Sequence, residues 1–178
     1  MPLEAVSTPE AAEVMAVNAL APFVLNSRLV PLMRVRGPAT PAAAKSSGAR
    51  GGRGPCPRFV VNVSAMEGKF YRHKTPHHPH TNMAKAALNM MTRTCAPQLA
   101  ACDAIYMTSV DTGWVNDENP LAVAAANSAA SGFQTPIDEV DAAARICDPL
   151  FAGLTAWHAT GAIPAAGVFL KDYHETEW

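Results

Sequence analysis

The sequence predicts an α/β fold: part of a doubly wound parallel sheet, with the N-terminal strands missing. Three observations carry this. Helical and β-rich patterns alternate along the chain as helix, strand, helix, strand, helix, strand, the order that crossover helices impose on parallel strands. Three strands are few for such a sheet. The chain also starts on a helix, which implies that strands normally come before it.

The first helix is expected over 9–34. Ser7 or Thr8 can cap it, Glu10 stands at the capping-box distance from Ser7, and Pro9 suits the first turn. Val14, Val17, Ala21, Val24, Leu25 and Leu32 lie mostly on one stripe. Pro22 and Pro31 should kink or end it. Residues 35–57 are rich in Gly, Pro, Ala, Ser and Arg and have almost nothing large and apolar. Such a segment cannot bury enough surface to offset its ordering, so it reads as a flexible low-complexity insertion in a single domain spanning 1–178. Within it, Gly48, Gly52 and Gly54 form a G-x-x-x-G-x-G pattern. It precedes a strand instead of following one, so it reads as coincidence.

Phe59–Ser64 is a β-branched run suited to a buried parallel strand. A polar loop to Pro79 follows, holding Tyr71, His73, His77 and His78. With His80 these histidines are dense, but their spacing is irregular and no carboxylate stands at ligand distance, so no metal is expected. Residues 80–96 are strongly helical and 105–110 form a second strand candidate, closed by the turn Asp111-Thr112-Gly113. Residues 119–134 give no clear pattern. Thr135 should cap a helix from 136 to about Phe151, with Asp138 favourable at its N-terminus. Gly167–Leu170 is the last strand, and a polar tail follows.

Composition narrows the function. The chain is 49% hydrophobic and 16% charged, with a net charge of −1. This suits a globular core and gives no electrostatic case for nucleic acid or an anionic membrane. No apolar run approaches a bilayer span, and the N-terminus does not read as a signal peptide. Cys56, Cys95, Cys102 and Cys147 show no metal spacing and read as reduced, mostly structural thiols. A soluble, intracellular setting is expected.

Four local patterns together resemble the short-chain dehydrogenase/reductase family. Val17-Asn18-Ala19 with Pro22-Phe23 resembles its central helix, Asn62-Val63-Ser64 its catalytic serine strand, Met83-Ala84-Lys85-Ala86-Ala87 the lysine end of its Tyr-x-x-x-Lys helix, and Val110 to Val115 the loop after the next strand. Ala143-Ala144-Arg145 through Leu170 is similar to its closing helix and strand. The likeness covers most of 9–173 apart from the insertion. It implies a Rossmann-like sheet, NAD or NADP as cofactor, and a carbonyl or alcohol substrate. It implies catalytic roles for Ser64, Lys85, Asn18 and the position of Thr81, and cofactor contacts from Lys85, Thr112 and Gly113.

The likeness fails in two places. Thr81 stands four residues before Lys85, where the family has tyrosine, and a threonine hydroxyl is far less acidic than a lysine-assisted phenol. The glycine-rich turn that cradles the pyrophosphate should lie upstream of residue 9 and does not. Bland readings stand beside the sharp ones: Ser64 as a strand-end cap, Lys85 as a solvated helix lysine, Asn18 as a buried polar group. Tyr71 is the one tyrosine between Ser64 and Lys85 and so the one candidate to replace the phenol. Three functions follow: an impaired NAD(P)-dependent oxidoreductase, a non-catalytic binding or oligomerisation module (a pseudoenzyme), or a truncated fragment of a longer protein. Helices 9–34 and 80–96 offer apolar faces, and the resemblance implies that such helices pair across subunits, so a homo-oligomer, as dimers or non-specific aggregates, is expected.

Overall fold

The computed structural model describes residues 1–34, 55–71, 73–115, 121–132 and 135–178. The expected insertion falls mostly on 35–54 and, with Gly48, Gly52 and Gly54, lies outside the described residues. A helical rod opens the chain: α1 (Thr8–Met15), a wider π turn (Ala16–Leu20) and α2 (Ala21–Met33). Strand β1 (Arg58–Ser64) follows, then α3 (Pro79–Asp103), β2 (Ile105–Asp111), α4 (Leu121–Ser131), α5 (Glu139–Thr160), β3 (Phe169–Lys171) and β4 (His174–Thr176). The sheet order is β1-β2-β3-β4. β1–β2 and β2–β3 are parallel, with Ser64 level with Asp111, and β3–β4 is antiparallel.

The core lies between β2 and α3. All seven β2 residues are buried, and Ile105 and Met107 pack with Ala96 and Leu99 of α3. Gly153 of α5 sits against β1, where a Cβ would come 2.8 Å from the Phe59 ring. Lys69, after β1, is completely buried. Its ammonium lies 4.7 Å from the Tyr71 ring centroid and 4.5 Å from that of Phe169, and it donates to Thr176 Oγ1 at 3.0 Å.

Several expectations need correction. Of the two outcomes expected at Pro22, the helix is distorted locally and is not ended. The proline ring would clash with the carbonyl of Asn18 in a regular helix; the π turn displaces that carbonyl, and Ala21 N–H bonds Ala16 O. Helix then continues past Pro31 to Met33. The Thr8–Met33 stretch is long and apolar enough to cross a membrane by length and composition, an 18-residue window within it having a mean hydropathy of 1.3. No unbroken apolar run marks it, because Asn18, Asn26, Ser27 and Arg28 interrupt the stretch.

Helix α3 also outruns its predicted end, passing Pro97 to Asp103 because Ala96 and Leu99 keep its buried face in the core. Asp138, not Thr135, caps α5, accepting from Asp141 N–H at 2.8 Å, and the helix runs beyond Phe151 to Thr160, where Gly161 (φ +74) closes it. The unassigned stretch holds α4. The last strand begins at Phe169 because Gly167 has φ +70. The polar tail turns back as β4, which makes the sheet mixed.

Candidate functional site

Three elements build a cleft of about 350 Å³: the π turn with α2, strand β1 and helix α3. Val17, Asn18, Pro22, Leu25, Asn26 and Leu29 line one wall; Val60–Val63, Lys85 and Leu88 line the other. Asn18 sits inside the π turn, where its Nδ2 donates to Val14 O at 3.2 Å. π turns present side chains that a regular helix would stagger differently, and they recur at functional sites. Lys85 Nζ donates to Val63 O at 3.3 Å, across the mouth of the strand. The structure thus brings Asn18 and Lys85 to one cleft.

Ser64 and Thr81 do not line it. Ser64 is buried at the end of β1 and donates to Asn89 Oδ1 at 2.5 Å. Its proton points into the α3 interface, and Asn89 Nδ2 is buried with no partner among the described residues. Thr81 is half-buried one turn before Lys85 and makes no side-chain hydrogen bond among the described residues. Tyr71 lies over the far strands, its hydroxyl 3.4 Å from Thr176 Oγ1.

At the neighbouring strand end, Asp111 organises the turn with Thr112 and Gly113. Its Oδ1 accepts from Gly113 N–H at 2.7 Å, and its Oδ2 accepts from Met66 N–H at 3.1 Å and Lys171 Nζ at 3.2 Å. Arg145 of α5 donates to Thr112 O at 3.1 Å and pairs with Asp172 at 2.5 Å. Gly113 has φ +83, which favours glycine, and a Cβ there would press on the end of the Arg145 side chain at 3.0 Å.

Sequence reasoning missed a buried polar chain. Asn26 Nδ2 donates to Asn62 Oδ1 at 3.0 Å; Asn62 Nδ2 and Ser109 Oγ each donate to Thr92 Oγ1 at 2.9 Å. Thr92 itself donates to Leu88 O at 3.2 Å. Partners separated by 36 or 30 residues leave no spacing signal. Asn89 had one, since it stands one turn beyond Lys85 on the same face. The rings of His77, His78 and His80 are neighbours, with centroids 6.4 and 6.3 Å apart, and they have separate partners: His78 Nε2 is 3.3 Å from the Met1 amine, and His80 Nε2 is 3.4 Å from Glu10. Cys95 packs against the core cluster as a structural thiol would, whereas Cys56, Cys102 and Cys147 are exposed.

No protein-family profile matches the chain. A stretch of 99 residues is 39% identical to the uncharacterized protein R665 of Acanthamoeba polyphaga mimivirus, covering 52% of this chain and 21% of that protein. Among solved structures, a short-chain dehydrogenase/reductase of Burkholderia multivorans with bound NADP matches all of the chain at TM-score 0.60 and 19% identity. The carbonyl reductase Sniffer of Drosophila melanogaster does so at 0.60 and 16%. An NADPH-bound carbonyl reductase from chicken fatty liver gives 0.57 and 16%. The chain spans 60% of the first and 61% of the other two.

The fold is therefore that of the short-chain dehydrogenase/reductases. Within that fold, this chain corresponds to about three fifths of the length of the solved proteins it resembles.

Proposed function

We propose that the chain carries the catalytic half of an NAD(P)-dependent short-chain oxidoreductase site for a carbonyl or alcohol substrate, impaired when isolated. The observation that carries this reading is the convergence of Asn18 and Lys85 on one cleft beside the β1 end, in a fold whose solved examples bind NADP.

The residues suit the nicotinamide end of such a cofactor. The Lys85 ammonium stands on the cleft wall to hold a ribose hydroxyl, and the Thr112–Gly113 backbone opens at the adjacent strand end. Nothing comparable serves the pyrophosphate: among the described residues no glycine-rich turn joins a strand to a helix N-terminus. A bound nicotinamide would exchange hydride with the substrate. The chain's own part is to orient and to manage the proton. Asn18 can position a water through its amide. Lys85 supplies positive charge, which favours an ionised oxygen nearby. Ser64 polarises a carbonyl only if its proton leaves Asn89. Thr81 can hydrogen-bond but is a poor acid. An intracellular, soluble setting and homo-oligomers through the two long helices belong to the same reading.

A second reading, a non-catalytic binding or oligomerisation module, is favoured by the Ser64–Asn89 bond and by exposed Val17, Leu20 and Phe23. NADPH titration of the chain followed by fluorescence separates the two. The oxidoreductase reading expects weak, saturable binding that Lys85→Met abolishes. It also expects carbonyl turnover at least about 10²-fold below that of an enzyme with its general acid in place. Binding unaffected by Lys85→Met, or none at all, favours the module. Full turnover would refute impairment.

A further inference from the structure

The β3–β4 hairpin holds the loop that follows Ser64 at two points. At one, Met66 N–H and Lys171 Nζ share the Asp111 carboxylate, at 3.1 and 3.2 Å. At the other, Thr176 Oγ1 accepts from Lys69 Nζ at 3.0 Å and lies 3.4 Å from the Tyr71 hydroxyl. The hairpin thus clasps residues 66–71 from both of its strands.

This clasp is built to be weak. Lys69 is completely buried, yet its ammonium meets a neutral hydroxyl and two aromatic faces, and no carboxylate pairs with it among the described residues. Glu175 and Glu177 flank Thr176, and both are exposed. Taking an ammonium out of water without a counter-charge is costly, so opening regains hydration that the closed form forgoes. The turn resists closure as well. Asp172 (φ +49) and Tyr173 (φ +68) are both left-handed, and a hairpin turn of this hand ordinarily has glycine at the second place. Aspartate tolerates that backbone better than tyrosine does.

Arg145 of α5 opposes the strain. Its Nη1 pairs with Asp172 at 2.5 Å, and its guanidinium stands 5.8 Å from the Tyr173 ring centroid. The same Nη1 donates to Thr112 O at 3.1 Å. One side chain therefore spans the hairpin turn and the turn at the β2 end.

We propose that residues 174–178 form a strap that opens without unfolding the core, that Lys69 is the group it uncovers, and that Arg145 couples it to the Thr112–Gly113 turn. Opening leaves the β1–β2 ladder and the α3 core intact, because β4 pairs with β3 alone among the described residues, over three positions. It frees Lys69 and Tyr71, so the strap sets how firmly the segment between Ser64 and Lys85 is held. The inference stands whether or not a nucleotide binds.

Brief pulses of an amine-acylating reagent on the full chain, read lysine by lysine by mass spectrometry, test this. Exposed Lys74 is the reference, and hydrogen exchange at the Met107 amide, in the core, reports unfolding. Lys69 should react at least about tenfold more slowly than Lys74, and at least about tenfold faster than the unfolding seen at Met107 permits. Thr176→Val removes the oxygen and should speed Lys69 about tenfold or more; Thr176→Asp supplies the missing counter-charge and should slow it by a similar factor. Asp172→Asn, at an exposed position whose backbone asparagine tolerates, should speed it about threefold and carries the test should the Thr176 variants fail to fold. Arg145→Lys keeps the charge but not the planar fork. It should raise both Lys69 acylation and exchange of the Gly113 amide, which is bonded to Asp111, with Met107 unchanged. Lys69 reacting as fast as Lys74 would mean that the strap does not close. Lys69 reacting no faster than Met107 exchanges, in every variant, would mean that it opens only with the whole fold. Either result overturns the proposal, as does a rise at Lys69 in Arg145→Lys without one at Gly113.

Discussion

Helix α3 and the Thr8–Met33 rod are of nearly equal length, yet α3 buries seven residues and the rod buries none. In α3 the buried positions His80, Ala84, Leu88, Thr92 and Ala96 recur every fourth residue, with Asn89 and Leu99 beside them. One stripe meets the sheet and the rest meets solvent. The rod spreads apolar side chains around its circumference, leaving Val17, Leu20, Phe23, Leu25, Leu29 and Leu32 exposed. Apolar content alone thus does not mark a core helix; a stripe with a partner does. α3 carries the core, and the rod touches it through Val30 and Met33 while leaving most of its apolar surface exposed.

Matched truncations put this contrast under the most strain. Leu99→Ala, in the core cluster, should cost about 2–5 kcal/mol in urea unfolding, while Leu32→Ala, at 81% exposure, should stay within about 0.5 kcal/mol. Equal losses would mean that the rod packs more than its exposure indicates.

Next comes Thr92→Val, which keeps the shape of α3 but removes the oxygen that accepts from Asn62 and Ser109. Each stranded buried donor costs about 1–3 kcal/mol. If Thr92→Val unfolds at the same urea concentration as wild type, the polar chain contributes nothing to stability.

A smaller effect concerns Tyr106 of β2, whose hydroxyl pKa is raised above 10.0 by burial, partly offset by the nearby Arg58 guanidinium. The fold prefers the neutral phenol. Its contribution is therefore present below pH 10 and lost as pH rises through the folded value. Stability measured from about pH 9 to 11 should fall more steeply in wild type than in Tyr106→Phe; parallel curves would contradict this.

The smallest effect on stability should come from Phe23→Glu on the rod, where the side chain is exposed. On association it should act strongly, dispersing the expected homo-oligomers in sedimentation. Unchanged sedimentation would move the interface elsewhere.

How much of this could be read from the sequence depended on the range of the cause. Ser7 does cap the first helix, accepting from Glu10 N–H at 3.3 Å, because a cap is a local event. β1 and β2 fell within a residue or so of their β-branched runs for the same reason. The hairpin to β4 stayed hidden because its turn uses Asp172 (φ +49) and Tyr173 (φ +68), where a turn of this kind ordinarily signals itself with Asn-Gly. Asn18 and Lys85 could be paired through the family likeness. The bond that occupies Ser64 could not, since it depends on how deeply α3 settles on β1. Gly68 shows how close that fit is: a Cβ there would stand 2.6 Å from the Lys85 carbonyl carbon.

The sealed ammonium of Lys69 gives the last residues of the chain a task. Thr176 supplies its oxygen, and Trp178 stands edge-on to Phe169 with ring centroids 6.0 Å apart, over the same ring that flanks the cation. Trimming the chain back to Tyr173 would uncover a charge and a core phenylalanine together. A purification tag joined at Trp178 would pull on that closure, whereas an exoprotease working from this end would report, by where it stalls, how firmly the tail is shut.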